Sequence, residues 1–203
     1  MNIIKVFVLL HVLAIAQLSI AREQANWAHD TSDITPDPAV TFGVLENGLR
    51  YAVMPHAEPP ERISMRLYVD AGSLMETVEQ QGLAHFIEHM AFNGTKNFPA
   101  GKMVEYFQRL GMSFGGDTNA HTSFKETVYK LELPKPEENL IKRAMLLFRD
   151  YADGMIMSGK EIEKERGVIL SELITRDSAE WRTQKEAYKF ALPDSLISKR
   201  FPI

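Results

Sequence analysis

The sequence predicts an α+β domain, an antiparallel or mixed sheet with helices packed on it. Three observations lead there. Strand-like and helix-like stretches come in blocks rather than in regular βαβ alternation. Asn47-Gly48 lies between two strand-like runs, where a hairpin turn is expected. Thr127 to Leu133 (TVYKLEL) alternates apolar and polar residues as a half-buried strand does. With 203 residues, 45% hydrophobic and 25% charged, the chain can fill one sizeable core.

The elements follow in order. Lys5 precedes an apolar run from Val6 to Ile20, and Ser19-Ile20-Ala21 is a small-x-small site, so residues 1–21 read as a signal peptide cleaved after Ala21. The run is short for a membrane span and contains His11 and Gln17. The expected product is exported, periplasmic or secreted, without a stable span after cleavage. Residues 22–38 are polar, carry Pro steps and read as a linker. The domain proper is expected over residues 39–203.

Within it, Val40 to Leu45 and Leu49 to Met54 form the hairpin about Asn47-Gly48, and Ile63 to Val69 (ISMRLYV) is a third strand. Leu83 to Phe92 and Met103 to Leu110 carry helical patterns, the second ending at Gly111 as a C-cap. Ser113 to Ser123 ends in a strand-like stretch that can pair with Thr127 to Leu133. Long helices follow near Glu137 to Asp153 and Lys160 to Thr175, with another near Trp181 to Phe190.

Composition narrows the chemistry. Without cysteine there is no disulfide framework, thiolate ligand or Cys nucleophile, so any metal must be held by His and carboxylate. A net charge of -4 and a pI near 5.9 leave no broad basic field for phosphate, and no nucleic-acid partner is expected.

Residues 85 to 89 read His-Phe-Ile-Glu-His. Leu83, Phe86, Ile87 and Met90 fall at i, i+3, i+4 and i+7 and predict an apolar stripe facing a core. His85, Glu88 and His89 share another face, about 200° from Leu83 at about 100° per residue. Two imidazoles at i and i+4 can converge on one Zn²⁺, while Glu88 can take a proton from a water instead of binding the metal. The bland alternative is a helix surface that happens to show these three residues.

HxxEH is the inverse of the HExxH zinc motif. The wider stretch GLAHFIEHMAFNGTKNFP, Gly82 to Pro99, resembles the pitrilysin/insulinase family of zinc peptidases from about Val40 to the C-terminus. A two-histidine site needs a third protein ligand. In the family that ligand is a distant Glu within a pattern resembling ERGVILSE. The match implies Glu172 as the ligand, with Glu165 standing behind it. The interval of 83 residues from His89 to Glu172 suggests a small insertion and leaves Glu165 as the alternative. A solvated charged face is the other reading of that helix.

Asn119-Ala120-His121-Thr122 resembles the family segment whose strand edge holds a substrate backbone, which makes Asn119 and Ala120 candidate substrate-binding residues; a plain turn role for Asn119 competes. His121 reads as an exposed strand residue, and His29 and His56 carry no signal.

The expected activity is zinc-dependent endopeptidase hydrolysis of small or unfolded polypeptides, with one Zn²⁺ per chain, a zinc-bound water as nucleophile and Glu88 as catalytic base. The resemblance implies a fold unit that recurs in complete members, two halves enclosing a chamber. The chain ends at Ile203 without a closing strand, so the domain is expected to be incomplete there and to need a C-terminal half or partner chain. The alternative is a non-catalytic binding or scaffold subunit of the same fold.

Overall fold

The computed structural model describes residues 27–202. The expected signal peptide, residues 1–21, and residues 22–26 of the expected linker lie outside the described residues. The chain forms two compact units, one up to Glu58 and one from Pro59.

In the first unit a 3-10 turn, Ala28–Thr31, is followed by strands β1 (Thr41–Val44) and β2 (Arg50–Val53), paired antiparallel with Thr41 opposite Val53. The loop differs from the two-residue turn that Asn-Gly suggests. Gly48 donates to Leu45 O and Leu45 to Leu49 O, only Gly48 is left-handed (φ 88°), and Asn47 Oδ1 accepts from Leu49 N. This is a three-residue loop with glycine at the left-handed position. Phe42 packs edge-on to Trp27, their ring centres 4.8 Å apart.

The second unit is built on strands β3 (Ile63–Val69), β4 (Thr118–Thr122) and β5 (Thr127–Leu133) in the order β3-β5-β4, all antiparallel. Its helices are α1 (Leu83–Phe92), α2 (Lys102–Arg109), α3 (Glu138–Asp153), α4 (Gly159–Arg176) and α5 (Ala179–Ala191). Strand alternation divides the sheet into two faces. Tyr129, Leu131 and Leu133 point inward and meet Leu140, Ala144, Leu147 and Tyr151, the i, i+4, i+7, i+11 stripe of α3, together with Met103 and Phe107 of α2. Glu132 on the other face accepts from Arg66 (2.9 Å) and lies 3.3 Å from Lys130. Among the described residues the helices pack on the Tyr129/Leu131/Leu133 face. Each fully buried Leu in this layer contributes about 2 kcal/mol.

Two local devices shape the ground around α1. Behind its C-terminus the loop over residues 94–98 is gathered by Asp150 of α3, which is fully buried. Its carboxylate accepts from Thr95 Oγ1 (2.6 Å), Asn97 N (2.9 Å) and Asn97 Nδ2 (2.9 Å). Burial alone would raise its pKa, but these donors outweigh that and hold it below the usual aspartate value. Ahead of α1, Gly72 lies against the β4–β5 turn so closely that a Cβ would sit 2.3 Å from Ser123 O.

One expectation is reversed. The Leu83/Phe86/Ile87/Met90 stripe does not face a core as a unit: Leu83 and Ile87 are 44% and 39% exposed, while His85 and Glu88 are 4% and 6% exposed. Helix α1 packs against α4 and β4, and both present polar groups, the carboxylates of Glu165 and Glu172 and the hydroxyl of Thr122. A polar face can be buried when most of its groups find partners, and here Glu88 meets Thr122, His89 meets Glu165, and His85 Nε2 lies beside His89 and Glu172. That condition, rather than hydrophobicity, orients α1.

Candidate metal centre

Helix α1 begins at Gly82, whose left-handed backbone (φ 88°) suits glycine, and Glu76 caps it from outside by accepting from Gly82 N (3.0 Å) and Ala84 N (2.8 Å). A carboxylate there also complements the helix dipole. Helix α4 is capped by Ser158, whose hydroxyl accepts from Glu161 N. Its inward positions include Glu165, Ile169 and Glu172.

Three donor atoms converge between these helices. His85 Nε2 and His89 Nε2 are 3.2 Å apart, and Glu172 Oε2 lies 3.7 Å from the first and 3.4 Å from the second. Ligands tetrahedrally disposed about zinc at 2.0 to 2.1 Å stand about 3.3 Å from one another. The triangle fits a zinc ion, and nitrogen with carboxylate is a donor set that zinc takes.

The surroundings prepare these atoms. Glu165 Oε1 is 2.7 Å from His89 Nδ1, which places the proton on Nδ1 and leaves Nε2 with its lone pair toward the cleft. The other oxygen of Glu165 accepts from Asn93 Nδ2 at 2.6 Å. Arg176, one turn beyond Glu172, binds its Oε1 and leaves Oε2 for the histidines. Burial, then the neighbouring His89, lower the His85 pKa to about 4, so this ring is neutral at ordinary pH, the form a metal requires. Its Nδ1 is buried and without a hydrogen-bond partner among the described residues.

Glu88 is adjacent but faces β4, where Thr122 Oγ1 donates to its Oε2 at 2.6 Å. Burial raises the Glu88 pKa against the lowering effect of that hydrogen bond, which strengthens the carboxylate as a proton acceptor. The centre opens into a cleft of about 830 Å³, a size suited to a bound ligand, with Asn119 and Ala120 on one wall and Val104 and Phe114 among its apolar residues. Among the described residues β5 is the one strand that pairs with β4, and the other edge of β4 carries a single bridge, from Thr118 to Phe114.

The structure thus brings together His85, His89, Glu172, Glu165 and Glu88, and puts Asn119 and Ala120 on the cleft wall. It gives the sequence-predicted glutamates different positions, Glu172 at the donor triangle and Glu165 behind His89. Exposed His121 lies 3.5 Å from Glu126, outside the triangle. Sequence reading missed Asn93, Thr122 and Arg176. Arg176 follows Glu172 at i+4, a spacing that signals a helical ion pair. Asn93 and Thr122 carry no such signal, because their partners are 72 and 34 positions away.

Fold and donor set together define an α+β domain in which an inverted HxxEH helix faces a glutamate-bearing helix. Residues 51–193 match the insulinase family, peptidase family M16. The chain belongs to that family. It is 39% identical over 167 residues to "Probable zinc protease PqqL" of Escherichia coli (strain K12), which covers 82% of this chain but only 18% of the relative. It superposes on the crystal structure of the first half of the periplasmic protease PqqL from Escherichia coli with a TM-score of 0.80 and 37% identity, covering 84% of this chain and 36% of that one. Another relative is of different character: cytochrome b-c1 complex subunit 1 of Bos taurus is 30% identical over 167 residues, 82% of this chain and 32% of that protein.

Proposed function

We propose that the chain carries the metal centre of an exported zinc-dependent endopeptidase acting on small or unfolded polypeptides. His85, His89 and Glu172 hold one zinc ion. A zinc ion held by these residues would supply a Lewis acid for a scissile carbonyl and for the acidity of a water. Glu88 takes a proton from the attacking water and returns it to the leaving amine. Glu165 fixes the tautomer of His89, and Arg176 keeps the second oxygen of Glu172 occupied. The edge of β4 at Asn119 and Ala120 pairs with an extended substrate backbone, a mode that asks little of side chains and so suits varied sequences. Export rests on the leader pattern of residues 1–21 and on the periplasmic relative.

The observation that carries this reading is the donor triangle with a buried, proton-avid Glu88 beside it. A scaffold role also exists among relatives, as the bovine respiratory subunit illustrates. Against it stands the constellation here, since a scaffold has no need to gather two histidines and three carboxylates in one place and to bury His85, Glu88 and Glu165 among them. Zinc stoichiometry and hydrolysis of a quenched peptide separate the two. The parent protein should hold one zinc per chain and cleave; Glu88→Gln should keep the zinc and lose cleavage. A parent that takes up no zinc, or a Glu88→Gln variant that cleaves at the parent rate, overturns the assignment.

A further inference from the structure

We infer that Asn93 is a positioning residue for the metal centre, acting through Glu165 on His89. Glu165 is only 7% exposed, so each of its oxygens needs a protein partner. His89 Nδ1 takes one at 2.7 Å and Asn93 Nδ2 takes the other at 2.6 Å. The contact of Asn93 with His89 O, at 3.4 Å, is much longer. The amide is therefore spent mainly on the carboxylate of α4 rather than on closing its own helix.

Placement gives this bond a second effect. Asn93 ends α1 one turn after His89, and Glu165 precedes Glu172 by two turns on α4. The Asn93–Glu165 hydrogen bond thus pins the helix with the histidines to the helix with the third donor. Without the amide, Oε2 of Glu165 is left buried and unpaired, which costs free energy unless the carboxylate turns away. Turning takes the acceptor from His89 Nδ1–H and frees the ring to place its proton on Nε2, the atom that faces His85 and Glu172.

The inference rests on the proposed metal reading for its consequence in zinc binding, but its core, control of the His89 tautomer, is separable. The backbone of Asn93 (φ −93°, ψ 12°) is open to any residue, so Asn93→Ala removes the amide without strain. Two measurements on the whole chain test it. In the metal-free protein, 15N NMR should show His89 as a single Nδ1–H tautomer in the parent and as a mixture in Asn93→Ala. Chelator competition should show zinc affinity falling about 10- to 100-fold in Asn93→Ala, the range seen when groups behind metal ligands are removed. A parent that binds no zinc while its tautomer responds to Asn93→Ala would sink the metal reading and leave the positioning role standing. A His89 tautomer unchanged by Asn93→Ala would overturn the inference. Should Asn93→Ala fail to fold, Asn93→Asp, which keeps the shape and replaces the donor by an acceptor, must show the same loss of the single tautomer; parent-like NMR in that variant overturns the inference equally.

Discussion

Replacing Asp150 by Ala should be among the most damaging single changes in the domain. The carboxylate is fully buried and accepts three hydrogen bonds from Thr95 and Asn97, and Thr95 is itself fully buried. Hydrogen bonds to a charged group contribute about 1.5 to 3 kcal/mol each, though three sharing one acceptor group do not add. The variant strands the fully buried Thr95 hydroxyl and removes the acceptor that ties exposed Asn97 to α3. A loss of about 3 to 5 kcal/mol follows, comparable with breaking a buried polar network. For a chain of this size that is a melting point lower by about 6 to 20 °C. Asp150→Asn keeps the volume but turns an amide N–H toward donors, and should cost about half as much. Thermal and urea melts followed by far-UV circular dichroism at pH 7 measure both. Stability of Asp150→Ala within about 0.5 kcal/mol of the parent, the scatter of neutral surface changes, would refute the argument that this carboxylate gathers the loop.

The same group gives a pH dependence of known sign. Its folded pKa is depressed, so its contribution is full above the unfolded value near 3.9 and is lost as pH falls through the folded value; parent stability should drop below about pH 4, and that part of the drop should be missing in Asp150→Asn. Gly72→Ala should destabilise by about 2 kcal/mol or more in the same melts, because the new methyl meets the backbone at Ser123 O, Glu126 N and Phe124 C rather than a side chain that can swing away. Leu147→Ala, in the fully buried stripe of α3, should cost about 2 to 5 kcal/mol. Zinc at about 100 times its Kd should stabilise the parent by about 2.7 kcal/mol, and His89→Ala should abolish that shift; an equal shift in both would place the ion elsewhere.

Much of the fold was legible because local rules sufficed. Thr127 to Leu133 alternates, and its burial alternates in step, with Thr127, Tyr129, Leu131 and Leu133 on the buried side. Leu140, Ala144, Leu147 and Tyr151 recur at helical spacing and line the core. The orientation of α1 was misread for a definite reason. An apolar stripe predicts the buried face only where the neighbours are apolar, and α4 and β4 offer carboxylates and a hydroxyl instead. For the site, His85, Glu88 and His89 are fixed by one helical repeat, and family resemblance supplied Glu172 and Glu165. Asn93, Thr122 and Asp150 were invisible, since each acts on a group far away in sequence and no spacing rule connects them. The hairpin shows the limit of a dipeptide signal: Asn47-Gly48 marks the turn, but the backbone uses the left-handed region at Gly48 alone.

Two of the three donors lie on α1 and the third lies 83 positions later on α4. An ion bound to all three would act as a reversible cross-link across that loop. A denatured chain no longer holds the three donors together, and His85 and His89 align only while their helix persists. Occupancy would then report the integrity of the whole domain rather than of one helix, and each tenfold rise in free ion above its Kd would add about 1.4 kcal/mol to the resistance against unfolding. Chelators and denaturants should accordingly potentiate each other, with the midpoint in urea sliding downward as free zinc is withdrawn.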